Sequence, residues 1–454
     1  MFFDNNRKVC LQHFLLLCSS PGKPDAQKIL FCTQPNRDIL RYMYWTLKQA
    51  MKKYLLIPLS FLFSIYLIAQ TNTAAQWQED VNYFKEQMVK KHKNAFHHVS
   101  KEEYEKDMAQ LYKDVPALKD YEVIVRLMQI TAKIGDGHTG VHLPANFKRY
   151  PIRLNYFGDD LYVIAATPLY KDALGTRLIK IGEFGLEQIN RRIASVISQD
   201  ENKWYTMSTA TVFLNVPEII TALGLASNYD KVSFTLMDSF NKEIRLDLVP
   251  IPASGNDRFI PASKTQPLFR QNPNDPFWFT YLDDINAVYL SFKKYDDINQ
   301  NINKLFDLIE EKKATRLIVD LRFNGGGDFF KGRRLIARIK ENSAINQKGN
   351  LFVITGRRTF SAAMVNSIDF KKETNAIILG EPPGEKPNSY SENDEMKLPN
   401  SKLIVSYSTR YYKFLDEDTP AFEPDIRIDP TWKEFNEGRD PVIEWIISYC
   451  KKNQ

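Results

Sequence analysis

From Gln76 to about Ile134 apolar positions return every three or four residues. Trp77, Val81, Phe84 and Met88 share one helical face, and Val123 to Ile134 repeats the pattern. A small helical region is predicted, running into Ile134-Gly135-Asp136-Gly137-His138-Thr139-Gly140, where the glycines break the helix and leave Asp136 and His138 in a tight loop. Beyond Tyr150 short strands are predicted at Leu161 to Ala165, Arg177 to Ile181, Val232 to Met237 and Ile244 to Leu248, with helices at Leu186 to Ile197 and Val216 to Leu223. Residues 256–276 are rich in Pro, Asn and Asp and read as a linker. After them Ala287 to Phe292, Arg316 to Leu321, Leu351 to Thr355 and Ala376 to Leu379 alternate with amphipathic helices near Ile298 to Glu311, Phe329 to Ile339 and Ala362 to Lys371. That alternation implies βαβ crossovers and a largely parallel sheet, with ligands gathered at the carboxyl ends of its strands.

The start of the chain departs from this globular pattern. Met51-Lys52-Lys53 precedes an uncharged apolar run, Tyr54 to Ala69, which reads as a secretory signal peptide over residues 51–69 cleaved before Gln70. Residues 1–50 then read as an upstream extension from a mis-called start codon, with Met51 as the initiator. An uncleaved membrane anchor is the rival reading. Either way the body is expected in the periplasm or outside the cell, and a membrane enters only through this segment.

Composition supports that division. The chain of 454 residues is 43% hydrophobic, and three of its four cysteines, Cys10, Cys18 and Cys32, precede Met51, leaving Cys450 without an internal partner. Residues 1–53 hold nine Lys and Arg against three Asp and Glu, a surplus equal to the whole net charge of +6. The body is therefore neutral, which gives nucleic-acid binding no support.

Chemistry is expected at the loops after the crossover strands. Leu351 to Ala363, LFVITGRRTFSAA, reads as a strand, a tight turn and a serine at the first turn of a helix. Ser361 there is either a helix N-cap or a displayed nucleophile. Asp320 to Asp328 carries three consecutive glycines, which let backbone N–H groups face a substrate. Gly380 to Tyr390 forms a third polar loop. His142, four residues after His138, makes no metal site with it, since no third ligand is in sight, and His97-His98 reads as surface.

Taken in order, IGDGHT, IVDLRFNGGG, TFSAA, ILGEPPG with PNSYSE, and a late Pro424-Asp425 resemble the landmarks of peptidase family S41, the C-terminal processing and tricorn-like serine peptidases, over about residues 76–430. The resemblance implies an α/β protein: a helical N-terminal region (70–150), a β-rich middle region (151–265) and a crotonase-like βαβ catalytic core (266–454). Leu174 to Ile189 is weakly similar to a PDZ core, so the middle region is either a degenerate PDZ-like module or an unrelated β-rich domain. Ser361 is implied as the nucleophile, and N–H groups of Ala362 and of Gly325 or Gly326 as the oxyanion hole. The base is His138, as in tricorn-like members, or Lys386, twenty-five residues after Ser361, as in processing peptidases. An imidazole needs no special burial to act as a base and Lys386 sits among polar neighbours, which favours His138. Asp418, seven residues before Asp425, is the implied orienting acid. The substrate would be a peptide or unfolded protein, with no cofactor and no metal; the alternative is a catalytically silent peptide-binding or scaffolding protein.

Overall fold

The computed structural model describes residues 72–453; the extension and signal-peptide readings lie outside the described residues. Three helices come first, α1 (Ala74–Lys91), α2 (Lys101–Asp114) and α3 (Asp120–Ile134). The predicted stripe Trp77, Val81, Phe84 and Met88 is the buried face of α1. Thr73 starts that helix with a reciprocal cap: its Oγ1 accepts from Gln76 N–H and its own N–H donates to Gln76 Oε1. A two-residue strand, β1 (Gly140–Val141), follows the glycine loop.

The middle region is a seven-stranded antiparallel sheet containing β2 (Ile152–Phe157), β3 (Asp160–Ala166), β4 (Arg177–Ile181), β5 (Val232–Met237) and β6 (Glu243–Leu248). Helices α4 (Leu186–Ala194), α5 (Lys203–Phe213) and α6 (Pro217–Ala222) sit within the same stretch of chain. β5 alternates buried and half-exposed positions as a strand with one face on the core must, and pairs with β6 from Val232–Leu248 to Met237–Glu243. α5 is absent from the sequence-based expectation because Lys203 to Phe213 is rich in Thr and Ser and has little apolar periodicity.

The second layered unit is a six-stranded sheet in the order β7 (Phe277–Leu282), β8 (Ala287–Phe292), β9 (Arg316–Asp320), β10 (Leu351–Thr355), β11 (Ile377–Gly380) and a short last strand, Ile426–Arg427. Only the β7–β8 pair is antiparallel. Crossover helices α7 (Ile298–Lys312), α8 (Phe329–Glu341) and α9 (Ala362–Glu373) supply Ile302, Leu335 and Ile368 to one core with Val288, Leu317 and Val353. The alternate residues Tyr289, Ile318 and Phe352 pack under the last helix, α10 (Pro441–Lys452). Both faces are covered, which is why these strands read as unbroken apolar runs.

A hairpin, β12 (Asn388–Lys397) and β13 (Ile404–Lys413), leaves the second unit and reaches back: Gly140 and Val141 of β1 pair with Ser406 and Val405 of β13. Met396, Leu403, Val405 and Tyr407 join the same core as the N-terminal helices and the middle sheet. Among the described residues no helix is long and apolar enough to cross a membrane.

One buried ion cluster fixes α10 to the sheet end that carries the glycine loop. Arg322 donates to both oxygens of Asp440 (3.0 and 2.7 Å) and to Asp320 (2.6 Å), while Tyr289 Oη donates to Asp320 at 2.7 Å. Asp440 also caps α10 through Val442 and Ile443 N–H. Removing one member strands the other charges in low dielectric, so Arg322→Ala is expected to cost about 3–5 kcal/mol. Urea unfolding beside wild type checks this, and a loss below about 1 kcal/mol would contradict it.

Candidate active site

Three loops leave the carboxyl ends of adjacent parallel strands and meet: residues 321–328 after β9, 356–361 after β10 and 381–387 after β11. Thr359 joins the first two. Its Oγ1 accepts from Gly356 N–H (3.0 Å) and donates to Leu321 O (2.8 Å), and Phe360 N–H donates to Asn324 O (3.1 Å).

Ser361 ends the turn at φ 53° and ψ −126°, a backbone region that residues with a Cβ rarely enter, at a cost on the order of 1–3 kcal/mol. It occupies the cap position of α9, but its side chain makes no capping hydrogen bond. An N-cap side chain reaches the first-turn N–H groups from extended backbone, and the positive φ of Ser361 turns it elsewhere. Of the two readings, cap or displayed hydroxyl, the cap is overturned. Close packing explains the glycine opposite: Gly326 has φ +106°, and a Cβ there would lie 2.5 Å from Ser361 Cβ.

The N–H groups near the hydroxyl are not equivalent. Gly326 N–H donates to Asn324 Oδ1 at 3.0 Å, whereas those of Gly325 and Ala362 have no acceptor among the described residues. Ala362 also opens α9, where the helix dipole favours negative charge.

His138 is buried. Its ring stacks on Phe360 at 4.7 Å, its Nε2 is 3.3 Å from Ser391 Oγ, and its Nδ1, which lacks a hydrogen-bond partner, is 3.7 Å from Glu385 Oε1. Burial pushes its pKa down to about 4, against a smaller opposing pull from the Asp136 charge, so the imidazole is neutral at pH 7. Among the described residues no hydrogen bond joins His138 to Ser361; the imidazole stacks instead on Phe360, the residue before the serine.

The His138 loop is held from several sides. Asn94 N–H donates to His92 Nδ1 (2.9 Å), which leaves the proton on Nε2 to donate to Asp136 Oδ2 (2.9 Å). Ser408 Oγ of β13 donates to Asp136 Oδ1 at 2.6 Å, and Tyr205 of α5 donates to Gly137 O at 3.3 Å. His97 is half-buried against Tyr390, while His98 is exposed. His142 faces Glu395 at 3.8 Å on the surface, and no cluster of metal-ligating side chains occurs among the described residues.

Two acids that the sequence did not single out lie at this site. Glu385 is buried; its Oε2 accepts from Ser361 N–H, and its Oε1 accepts from Ser389 Oγ at 3.4 Å. Burial, then the neighbouring Glu201, raises its pKa well above the usual carboxylate range. Glu201 accepts from Gly137 N–H and Lys386 N–H, both at 3.0 Å, and burial raises it to about 8. The sequence carries no signal for either, since both stand in polar stretches that look like solvated loops. Lys386 donates its ammonium to Asp200 at 3.0 Å. Asp418 accepts from Asn388 Nδ2 at 2.7 Å and lines a cavity of about 290 Å³ with Lys386, Asp200 and Glu201. The structure thus brings together Ser361, the glycine loop, His138 and Glu385. Asp418 and Lys386 face the adjoining cavity.

The architecture is the α/β fold that the sequence motifs lead one to expect, and it has counterparts among solved structures. The solved structure of mature CPAF complexed with lactacystin matches with a TM-score of 0.57 at 10% identity, covering 84% of this chain and 98% of that one. Mature CPAF alone matches with a TM-score of 0.57 at 11% identity over 83% and 97%. A photosystem II D1 C-terminal processing protease is similar at a TM-score of 0.41 and 14% identity, over 82% and 96%. No family model matches the sequence, and no curated protein sequence does. At such identities the likeness is one of fold.

Two outcomes follow from the strained serine and the raised acid. Glycine adopts the Ser361 conformation freely, so Ser361→Gly is expected to be more stable than Ser361→Ala by about 1 kcal/mol, reversing glycine's usual disadvantage; denaturant unfolding of both checks this. The unfolded chain ionises Glu201 near 4.5 and the folded one near 8, so its stabilising contribution is complete below about 4.5 and is lost as pH rises through 8. Melting temperature should fall from pH 7 to pH 9, and Glu201→Gln should flatten that slope.

Proposed function

We propose that the protein is a serine peptidase that works outside the cytoplasm, exported by its apolar segment Tyr54 to Ala69, and cleaves peptides through an acyl-enzyme on Ser361. One observation carries this reading: Ser361 is held at positive φ, with its hydroxyl withheld from helix capping, against a glycine loop and a helix N-terminus. The hydroxyl oxygen attacks the substrate carbonyl while the neutral imidazole of His138 takes its proton. Gly325 and Ala362 N–H groups receive the developing oxyanion. His138 returns the proton to the leaving amine, and a water activated by the same imidazole then hydrolyses the ester.

The resting arrangement requires one adjustment, since among the described residues no hydrogen bond joins His138 to Ser361 and the imidazole must shift to reach the hydroxyl. Glu385 is the acid nearest Nδ1, at 3.7 Å, and its carboxyl oxygen is placed to accept from Nδ1–H and so orient the ring. Asp418, which the family resemblance implies for that role, is committed to Asn388. The Lys386 ammonium is engaged by Asp200 at 3.0 Å, which argues against it as the base.

The test is cleavage of a peptide library. Ser361→Ala and His138→Ala should each lower kcat/KM by at least about 10³-fold, and Lys386→Ala by less than about tenfold. Because His138 titrates near 4, the acid limb of the kcat/KM profile should fall nearer pH 4 than 6.5. Equal rates for wild type and Ser361→Ala would discard this nucleophile; no turnover by wild type would favour the silent peptide-binding reading.

A further inference from the structure

Three arginines around the nucleophile turn have no acid partner among the described residues. Arg153 lies on β2, Arg270 ends the helical turn Leu268–Arg270, and Arg358 is three residues before Ser361. Among the described residues none of the three makes an ion pair or a side-chain hydrogen bond. Their neighbours all do: Arg149 faces Asp257 at 3.7 Å, Arg322 binds Asp320 and Asp440, and Arg357 binds Glu381. The Nε of Arg270 is buried without an acceptor.

Aromatic rings replace the missing acids. The Arg153 guanidinium lies 4.5 Å from the Phe259 ring, that of Arg270 lies 4.0 Å from Phe435, and that of Arg358 lies 5.7 Å from Phe323. Phe323 stacks on Phe269 at 5.7 Å, and Phe269 also lies 5.4 Å from Arg270. This platform sets the cations without neutralising them. Their fields overlap: burial and then the charges of Arg358 and Arg322 push Arg270 down to about 10, and burial followed by Arg357 and Arg153 lowers Arg358. All remain charged at neutral pH. Arg153 and Arg358 are still open to solvent.

Facing like charges cost stability, and a partly buried charge without a partner costs more. That cost is relieved when an anion enters. The place is specific, because Phe323 immediately precedes the Asn324-Gly325-Gly326 loop and Arg358 belongs to the turn that presents Ser361. A planar guanidinium matches a carboxylate through two parallel hydrogen bonds. We propose that Arg153, Arg270 and Arg358 form a subsite beside the nucleophile that binds a carboxylate of the substrate peptide, either its free C-terminus or an aspartate or glutamate side chain. The subsite rests on the peptidase reading for the kind of molecule that brings the carboxylate.

Binding to the Ser361→Ala protein tests this without requiring turnover. Randomised heptapeptides free of acidic residues are compared as C-terminal amides, as C-terminal free acids, and as amides carrying one fixed aspartate, with retention measured by mass spectrometry. At least one carboxylate pool should be retained about 10- to 100-fold more strongly than the neutral pool, the gain expected of a charge-assisted pair of hydrogen bonds. Which pool gains identifies the source. Adding Arg270→Gln and Arg358→Gln together should bring the ratio to about one, whereas Arg358→Lys should keep part of it; thermal melting confirms that each variant is folded. Equal retention of all pools, or a preference that survives the double substitution in a folded protein, overturns the subsite. Failure of the wild type to cleave any pool while the preference persists would instead count against the peptidase reading alone.

Discussion

Asp136 is a buried carboxylate whose charge must be balanced inside the protein, and the means of balancing it organise the site. His92 from the end of α1 and Ser408 from β13 both donate to it, and burial is outweighed by these partners, so its pKa is held below the usual range. The two donors come from opposite ends of the described chain. The carboxylate they share lies two residues before His138, so satisfying Asp136 also fixes the loop that presents the imidazole. Had the charge been left with one partner, desolvation would have favoured a neutral acid and a loose loop.

The neighbouring acids follow the opposite logic. Among the described residues Glu201 and Glu385 have no cation close enough to match their burial, and both are raised. As neutral groups they still accept hydrogen bonds from Gly137, Lys386 and Ser361 N–H. The His138 loop, the Ser361 turn and the loop after β11 are therefore tied by carboxyl groups that add little charge at neutral pH. A neutral imidazole fits such surroundings, because burial outweighs the pull of the Asp136 charge toward protonation.

How much was legible depended on the range of the interaction. The parallel strands and their crossover helices are covered on both faces, so Leu351 to Thr355 and its partners declared themselves as apolar runs. The glycine triplet and the serine after a strand were legible because local backbone geometry demands those residue types. The hairpin β12–β13 was not: Asn388 to Lys397 is almost entirely polar, and its partner residues in β1 lie more than two hundred and fifty positions away. Glu201, Glu385 and His92 escaped for the same reason, since an acid or imidazole buried by distant chain looks like a surface residue when read along the sequence. The cap reading of Ser361 failed on a dihedral angle, which no residue name reveals.

The reach of that hairpin has a further consequence for the order in which the protein becomes competent. Its Ser391 and Ser408 are the contacts of His138 and Asp136, across sequence separations of 253 and 272 residues. Closing loops of that length is slow and comes late in folding. A chain still missing its last third can form α1 to α3 and the middle sheet, yet its histidine loop has no β13 to settle against and its serine does not exist. The site is therefore assembled only once the hairpin has docked, and on the proposed peptidase reading the topology delays any self-inflicted cut until then.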